Sequence, residues 1–145
     1  MAENLGKVVI DTNVLISAVV SGGAPEGVLD LVRTGVPAGV TSLYILDAFR
    51  SVLTRPTFGM PLPTADALAL EIAGFTEVMA VERAVGSWVD DPGDDAIVET
   101  ALAAGATHVV TGDQILLQTR VPGLRIVTVD TLLGLLRDRP ETRRA

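Results

Sequence analysis

The residues best placed to do chemistry in this chain are aspartates. Asp11 ends the apolar run Val8-Val9-Ile10, and Asp113 follows Val109-Val110-Thr111 after a single glycine. Asp94 and Asp95 stand at the start of the segment that leads into that second run. A carboxylate at the end of a buried strand is costly unless it is paired or coordinates a metal. Oxygen ligands drawn from separate segments suit Mg²⁺ or Mn²⁺. Such ions can activate a water and stabilise the leaving oxygen of a phosphodiester. Each acid also has a purely structural reading. Asp11 and Asp113 could cap the helices that follow them, Asp94 or Asp95 could cap its own helix, and Asp90 to Asp95 could be a solvated loop. Taken singly, the acids favour the cap; taken together on one edge, they favour the metal site.

Those acids need elements to carry them. Val8–Ile10 reads as a strand, and Val14–Val20 as a short buried helix after the polar break at Asp11-Thr12-Asn13. Pro25 opens a helix with Val28, Leu29, Leu31 and Val32 on its inner face, and Gly35 closes it. Residues 37–41 form a weak strand. Ser42 then caps a helix whose apolar residues Ile45, Leu46, Phe49, Val52 and Leu53 recur at helical spacing, ending at Arg55-Pro56. After a loop over 57–63, Thr64 caps a helix containing Leu68, Ile72 and Phe75. Val78–Val81 is a short strand. A helix from Ala96 to Ala104 stops at Gly105, a strand covers His108–Thr111, and a short helix opens at Ile115. The last strand is Arg125–Val129, and Asp130 caps a helix over Thr131–Leu136. Strands alternating with helices across short connections predict an α/β domain with a mostly parallel sheet covered on both faces. Ligands of such a sheet bind beyond the carboxyl ends of its strands, where the strand order reverses.

Composition narrows the function further. The 145 residues are 48% hydrophobic but only 3% aromatic, so aliphatic side chains must build the core. We read one domain over 1–145, with its core at about 7–137 and a polar tail at 138–145. The net charge is −7, the opposite of a protein that grips nucleic acid by bulk charge. Any contact with nucleic acid must therefore be local. Arg50 and Arg55 are the candidates for RNA phosphate contacts, whereas Arg120 and Arg125 read as a solvated face. No apolar run is long enough to span a bilayer, and Met1-Ala2-Glu3-Asn4 lacks the basic start of a secretory signal. The absence of cysteine excludes disulfides and thiolate metal sites and fits a reducing cytoplasm, the expected location. His108, the sole histidine, begins a strand far from the carboxyl edge and reads as structural. Trp88 reads as packed under the acidic loop.

At four stretches the chain resembles the PIN-domain ribonucleases, and among them the VapC-like toxin components of bacterial toxin–antitoxin pairs. The stretches are Val8-Val9-Ile10-Asp11-Thr12-Asn13-Val14-Leu15-Ile16-Ser17-Ala18, Leu53-Thr54-Arg55-Pro56-Thr57-Phe58, Asp91-Pro92-Gly93-Asp94-Asp95, and the run from Ala101 to Asp113 that ends in Val110-Thr111-Gly112-Asp113. The resemblance covers roughly Val8 to Leu136. It implies a three-layer fold, with a central, mostly parallel sheet of four or five strands flanked by helices. It further implies Mg²⁺- or Mn²⁺-dependent cleavage of RNA by metal-activated water, homodimers and a cognate antitoxin that blocks the site. On the matching positions Asp11, Asp94 and Asp113 would be the catalytic metal ligands, with Asp91 and Asp95 as further candidates. Asn13, Thr12 and Thr111 would orient the acids from behind. One position departs. The family carries a glutamate in the helix after the second strand, in a pattern like Glu-Leu-x-x-Val-Leu; here the stretch is Ala48-Phe49-Arg50-Ser51-Val52-Leu53, with Ala48 in the glutamate's place. Asp47 is a further candidate ligand, turned about 100° around the helix from position 48.

Three other readings compete with the nuclease. A PIN-like module that binds RNA or a partner protein without efficient cleavage is motivated by Ala48. A phospho-acceptor receiver would need a lysine after its last strand, but Lys7, the only lysine, precedes the first strand. A phosphatase with an Asp-x-Asp-x-Thr motif fails at Asn13, which occupies the place of its second acid.

Overall fold

A computed structural model describes residues 5–83 and 88–138. Met1 to Asn4, on which the secretory-signal reading rests, and most of the polar tail lie outside them. The elements in order are β1 (Val8–Ile10), α1 (Thr12–Val20), α2 (Gly23–Arg33), β2 (Gly39–Ser42), α3 (Leu43–Leu53), α4 (Leu62–Phe75), β3 (Thr76–Met79), α5 (Pro92–Ala104), β4 (His108–Val110), α6 (Gln114–Leu117), β5 (Arg125–Val127) and α7 (Val129–Arg137). The strands form one sheet in the order β3-β2-β1-β4-β5. Every pairing is parallel. The expected α/β architecture is therefore present, with five strands and flanking helices.

The strand order sets where chemistry can occur. From β1 the chain steps outward through β2 to β3, then returns to the other side of β1 for β4 and β5. The order reverses between β1 and β4, which opens a crevice at their carboxyl ends. Asp11 leaves β1 there, and Thr111-Gly112-Asp113 leaves β4. The central strands β1, β2 and β4 are buried throughout, while edge strands β3 and β5 are partly exposed. That contrast is expected of a parallel sheet covered by helices.

Close packing fixes the helices against this sheet. A Cβ on Gly39 would lie 2.2 Å from Val32 Cγ1, so α2 approaches β2 through the missing side chain. Ser42 caps α3 as expected, its Oγ accepting from the Ile45 N–H at 3.3 Å. The buried Thr100 hydroxyl donates to the same Ser42 oxygen at 2.9 Å, tying α5 to the start of α3. Gly105 ends α5 in the left-handed conformation, with φ 67°, which glycine adopts without strain.

Several boundaries differ from expectation, each for a local reason. Helix α4 begins at Leu62 after Pro61, and Thr64 lies inside its first turn; Pro63 fits there because a first-turn residue needs no N–H partner. Helix α5 is capped by Asp91, not by Asp94 or Asp95: the Asp91 carboxylate accepts from the Asp94 N–H at 3.0 Å. Helix α7 is capped by Thr128, whose hydroxyl accepts from the Thr131 N–H at 3.2 Å, rather than by Asp130. Strand β3 runs two residues ahead of the expected Val78–Val81 because α4 feeds straight into it and Thr76 pairs with Gly39. Strand β5 stops at Val127, because Thr128 is already the helix cap. Among the described residues, no single helix is long and apolar enough to cross a membrane.

Candidate active site

The crevice at the β1/β4 reversal is an open cleft of about 660 Å³ that brings together Asp11, Asp91, Asp94 and Asp113. Their separation in the chain disappears because parallel strands β1 and β4 pair Ile10 with Val110. The start of α5 adds the remaining two acids. Asp11 is only 6% exposed and Asp94 only 8%.

Thr111 links the two strand-end acids. Its hydroxyl donates to Asp11 Oδ2 at 2.6 Å and accepts from the Asp113 N–H at 3.0 Å. Asp113 also caps α6, accepting from the Leu116 N–H at 2.9 Å. Asn13 lines the cleft, and its side-chain oxygen accepts from the Gly112 N–H at 3.5 Å. Thr12 lines the cleft too, and its backbone N–H contacts the Asp11 carboxylate.

The electrostatics follow from crowding. Burial raises the Asp11 pKa, and the carboxylates of Asp113 and Asp91 raise it further. The Thr111 hydroxyl and the Thr12 N–H oppose that rise by bonding the charged form. Asp94 is pushed from 3.8 to about 7, first by burial, then by the charges of Asp113, Asp91 and Asp11, and last by a hydrogen bond with Asp113. That hydrogen bond favours the protonated form of Asp94.

The other candidates fall elsewhere. Asp95 is fully buried, and its Oδ1 accepts from the backbone N–H groups of Trp88 at 2.7 Å and Val89 at 3.2 Å. It holds the approach to α5 and does not line the acid cleft. Asp47 is exposed and ion-paired with Arg50; it borders a separate hollow with Glu82 and Ser51. Arg50 also faces Asp66, at 3.7 Å, and does not reach the acids, whereas Arg55 lines the cleft. Trp88 is 39% exposed rather than packed under the loop, because the buried partner of its backbone is the Asp95 carboxylate. His108 is buried, with Nδ1 2.7 Å from the Thr107 hydroxyl. Ala48, in the expected glutamate's place, does face the acids.

Apart from Ala48, the rest of the cleft lining carries no functional mark in the sequence. Tyr44, Ala48 and Val52 lie on one face of α3, at successive i,i+4 positions, and all three line it with Phe58 and Ile16. The signal was that spacing around position 48. The hydrophobic pattern of α3, which counts Val52 with Phe49 and Leu53, points to its buried face and masks this second stripe.

Four carboxylates, a hydroxyl and an amide oxygen form a hard donor set suited to a divalent cation. Asp113, Asp91 and Asp11 add to burial in raising the Asp94 pKa, a repulsion that a bound cation would relieve. Among the described residues, no three acidic or histidine side chains yet stand as a group around one point. The chemistry thus fits a cation, and the side chains would have to close on it.

A five-stranded parallel sheet with an acid cleft at its switch point defines a class. The sequence model of the PIN domain matches residues 7–115; the chain belongs to the PIN-domain family, whose members are generally nucleases. Among solved structures the chain is similar to VapBC2 from Rickettsia felis, crystallised bound to a DNA fragment from their promoter. The identity is 14% and the TM-score 0.61, over 84% of this chain and 98% of that one. At that identity the likeness is one of fold. No curated protein matches in sequence.

Proposed function

We infer that this protein is a Mg²⁺- or Mn²⁺-dependent endoribonuclease, acting as the toxin of a toxin–antitoxin pair. The observation that carries the reading is the convergence of Asp11, Asp94 and Asp113, with Asp91, in one cleft of a PIN domain. Asp11, Asp94 and Asp113 would hold the cation. When bound, such an ion supplies positive charge for the phosphodiester oxygens and lowers the pKa of a coordinated water. Thr111 fixes the Asp11 carboxylate, and Asp94 gives up its proton near neutral pH. Arg55, which lines the cleft, would receive a substrate phosphate. The fold likeness to VapBC2 supports a cognate antitoxin as partner. A homodimer in the cytoplasm completes the proposal.

The test is cleavage of single-stranded RNA in Mn²⁺, with chelator and Asp11→Asn as controls. Loss of about a hundredfold or more in the variant is expected for a lost metal ligand; cleavage that survives it sinks the assignment. A second reading, a module that binds without cleaving, draws on Ala48 and on the lack of a three-ligand group among the described residues. Calorimetric titration with Mn²⁺ separates the two: binding abolished by Asp113→Asn supports the enzyme, and no binding at millimolar metal supports the module.

A further inference from the structure

The acid cleft has two chemically different linings. Strand ends and the start of α5 supply the aspartates, while α1, α3 and the turn after α3 supply Ile16, Tyr44, Ala48, Val52 and Phe58. Phe58 is 39% exposed. The more exposed Leu62, Leu70 and Ile115 do not line the cleft. The turn that carries Phe58 is held by hydrogen bonds: the N–H groups of Phe58 and Gly59 both donate to the Arg55 carbonyl, at 3.0 and 2.6 Å, and the Met60 N–H donates to Leu53 O at 3.0 Å. Gly59 closes it at φ +60°, a conformation that favours glycine. Arg55 and Phe58 are thus presented together, by backbone geometry, at the same cleft as the acids.

We propose that this apolar lining, with the exposed ring of Phe58, is a nucleobase-binding subsite beside the phosphate-handling acids, and that Ala48 leaves the room a base requires. This rests on the ribonuclease reading. A nucleotide of a single strand offers a phosphate to one lining and an aromatic face to the other, and stacking on an exposed aromatic tolerates any base. The cleft is large enough for a nucleotide. In a chain of net charge −7, stacking supplies attraction that bulk electrostatics does not.

The test is fluorescence anisotropy with a labelled single-stranded octauridylate and with the same ribose-phosphate backbone lacking its bases. Both are titrated in calcium, and cleavage is followed separately in manganese. The wild type should bind the base-bearing strand about tenfold more tightly. Phe58→Ala should lose that preference and Phe58→Trp should keep it; the exposure of Phe58 makes both substitutions compatible with folding, checked by circular dichroism. Equal binding of the two strands by the wild type, or an undiminished preference in Phe58→Ala, overturns the subsite. Cleavage without base preference removes the subsite and leaves the ribonuclease. Base preference without cleavage removes the ribonuclease and leaves the subsite. Binding of neither strand, without cleavage, overturns both and assigns the apolar lining to a protein partner.

Discussion

Replacing Asp94 with asparagine should make the metal-free protein more stable above neutral pH. In the folded chain the Asp94 carboxyl titrates near 7 instead of 3.8, so the folded state holds the proton more tightly than the unfolded one. For an acid raised in this way, the stabilising contribution is complete below about pH 4. It is lost as pH climbs from about 4 to 7 and is flat above that. Asp11, also raised, acts in the same direction. A shift of about three units corresponds to at most about 4 kcal/mol. Water and salt at the open mouth of the cleft screen the repulsion, so about 1–2 kcal/mol is the expected effect at pH 8. For a domain of this size that corresponds to roughly 3–8 °C in Tm. Thermal unfolding in chelator, followed by circular dichroism at pH 5, 6, 7 and 8, reads it directly. The wild type should lose stability across this range, Asp94→Asn should lose less, and the difference between them should be smallest at pH 5. Added Mn²⁺ should raise the wild-type Tm by mass action and the variant's far less. Parallel curves of Tm against pH for the two proteins would refute the reasoning, because overall charge repulsion alone would then explain the wild-type decline.

Other substitutions probe the supports of the site. Thr111→Val removes the hydroxyl that favours the charged form of Asp11 against burial, so the acidic limb of the pH–rate profile should move to higher pH and stability should fall by about 1–2 kcal/mol. An unmoved profile would show that the contact does not set the charge state of Asp11. Ser42→Ala removes the cap of α3 and the partner of Thr100; denaturant titration should show a loss of about 1–3 kcal/mol, with Mn²⁺ affinity unchanged. Asp95→Ala deprives the Trp88 and Val89 N–H groups of their acceptor. The fluorescence of Trp88, the single tryptophan, should change, and stability should fall by about 1–3 kcal/mol. Gly39→Ala should cost about 1–3 kcal/mol by forcing Val32 aside, measured as a lower denaturant midpoint.

The sequence by itself determined the alternation of strands and helices, and with it the class of fold. Apolar runs of β-branched residues at 8–10 and 109–110 can be little other than buried strands, and local signals such as Ser42 and Gly105 mark their neighbours. It also picked out Asp11 and Asp113, because a helix cap explains each acid singly but not acids from separate segments at one edge of a sheet. What only the tertiary structure decided was adjacency. Asp11 and Asp113 meet because β4 is inserted beside β1, a long-range pairing that no local pattern encodes. The division among the clustered acids is of the same kind. Asp91, Asp94 and Asp95 look alike in the chain, yet the first turn of a helix sends them to a cap, a cleft and a buried loop anchor respectively. Residue 48 was legible as a missing acid. That its neighbours on α3, together with Phe58, turn the same cleft into a partly apolar one depended on how α3 packs against α1, and side-chain direction on a packed helix is settled by the whole fold.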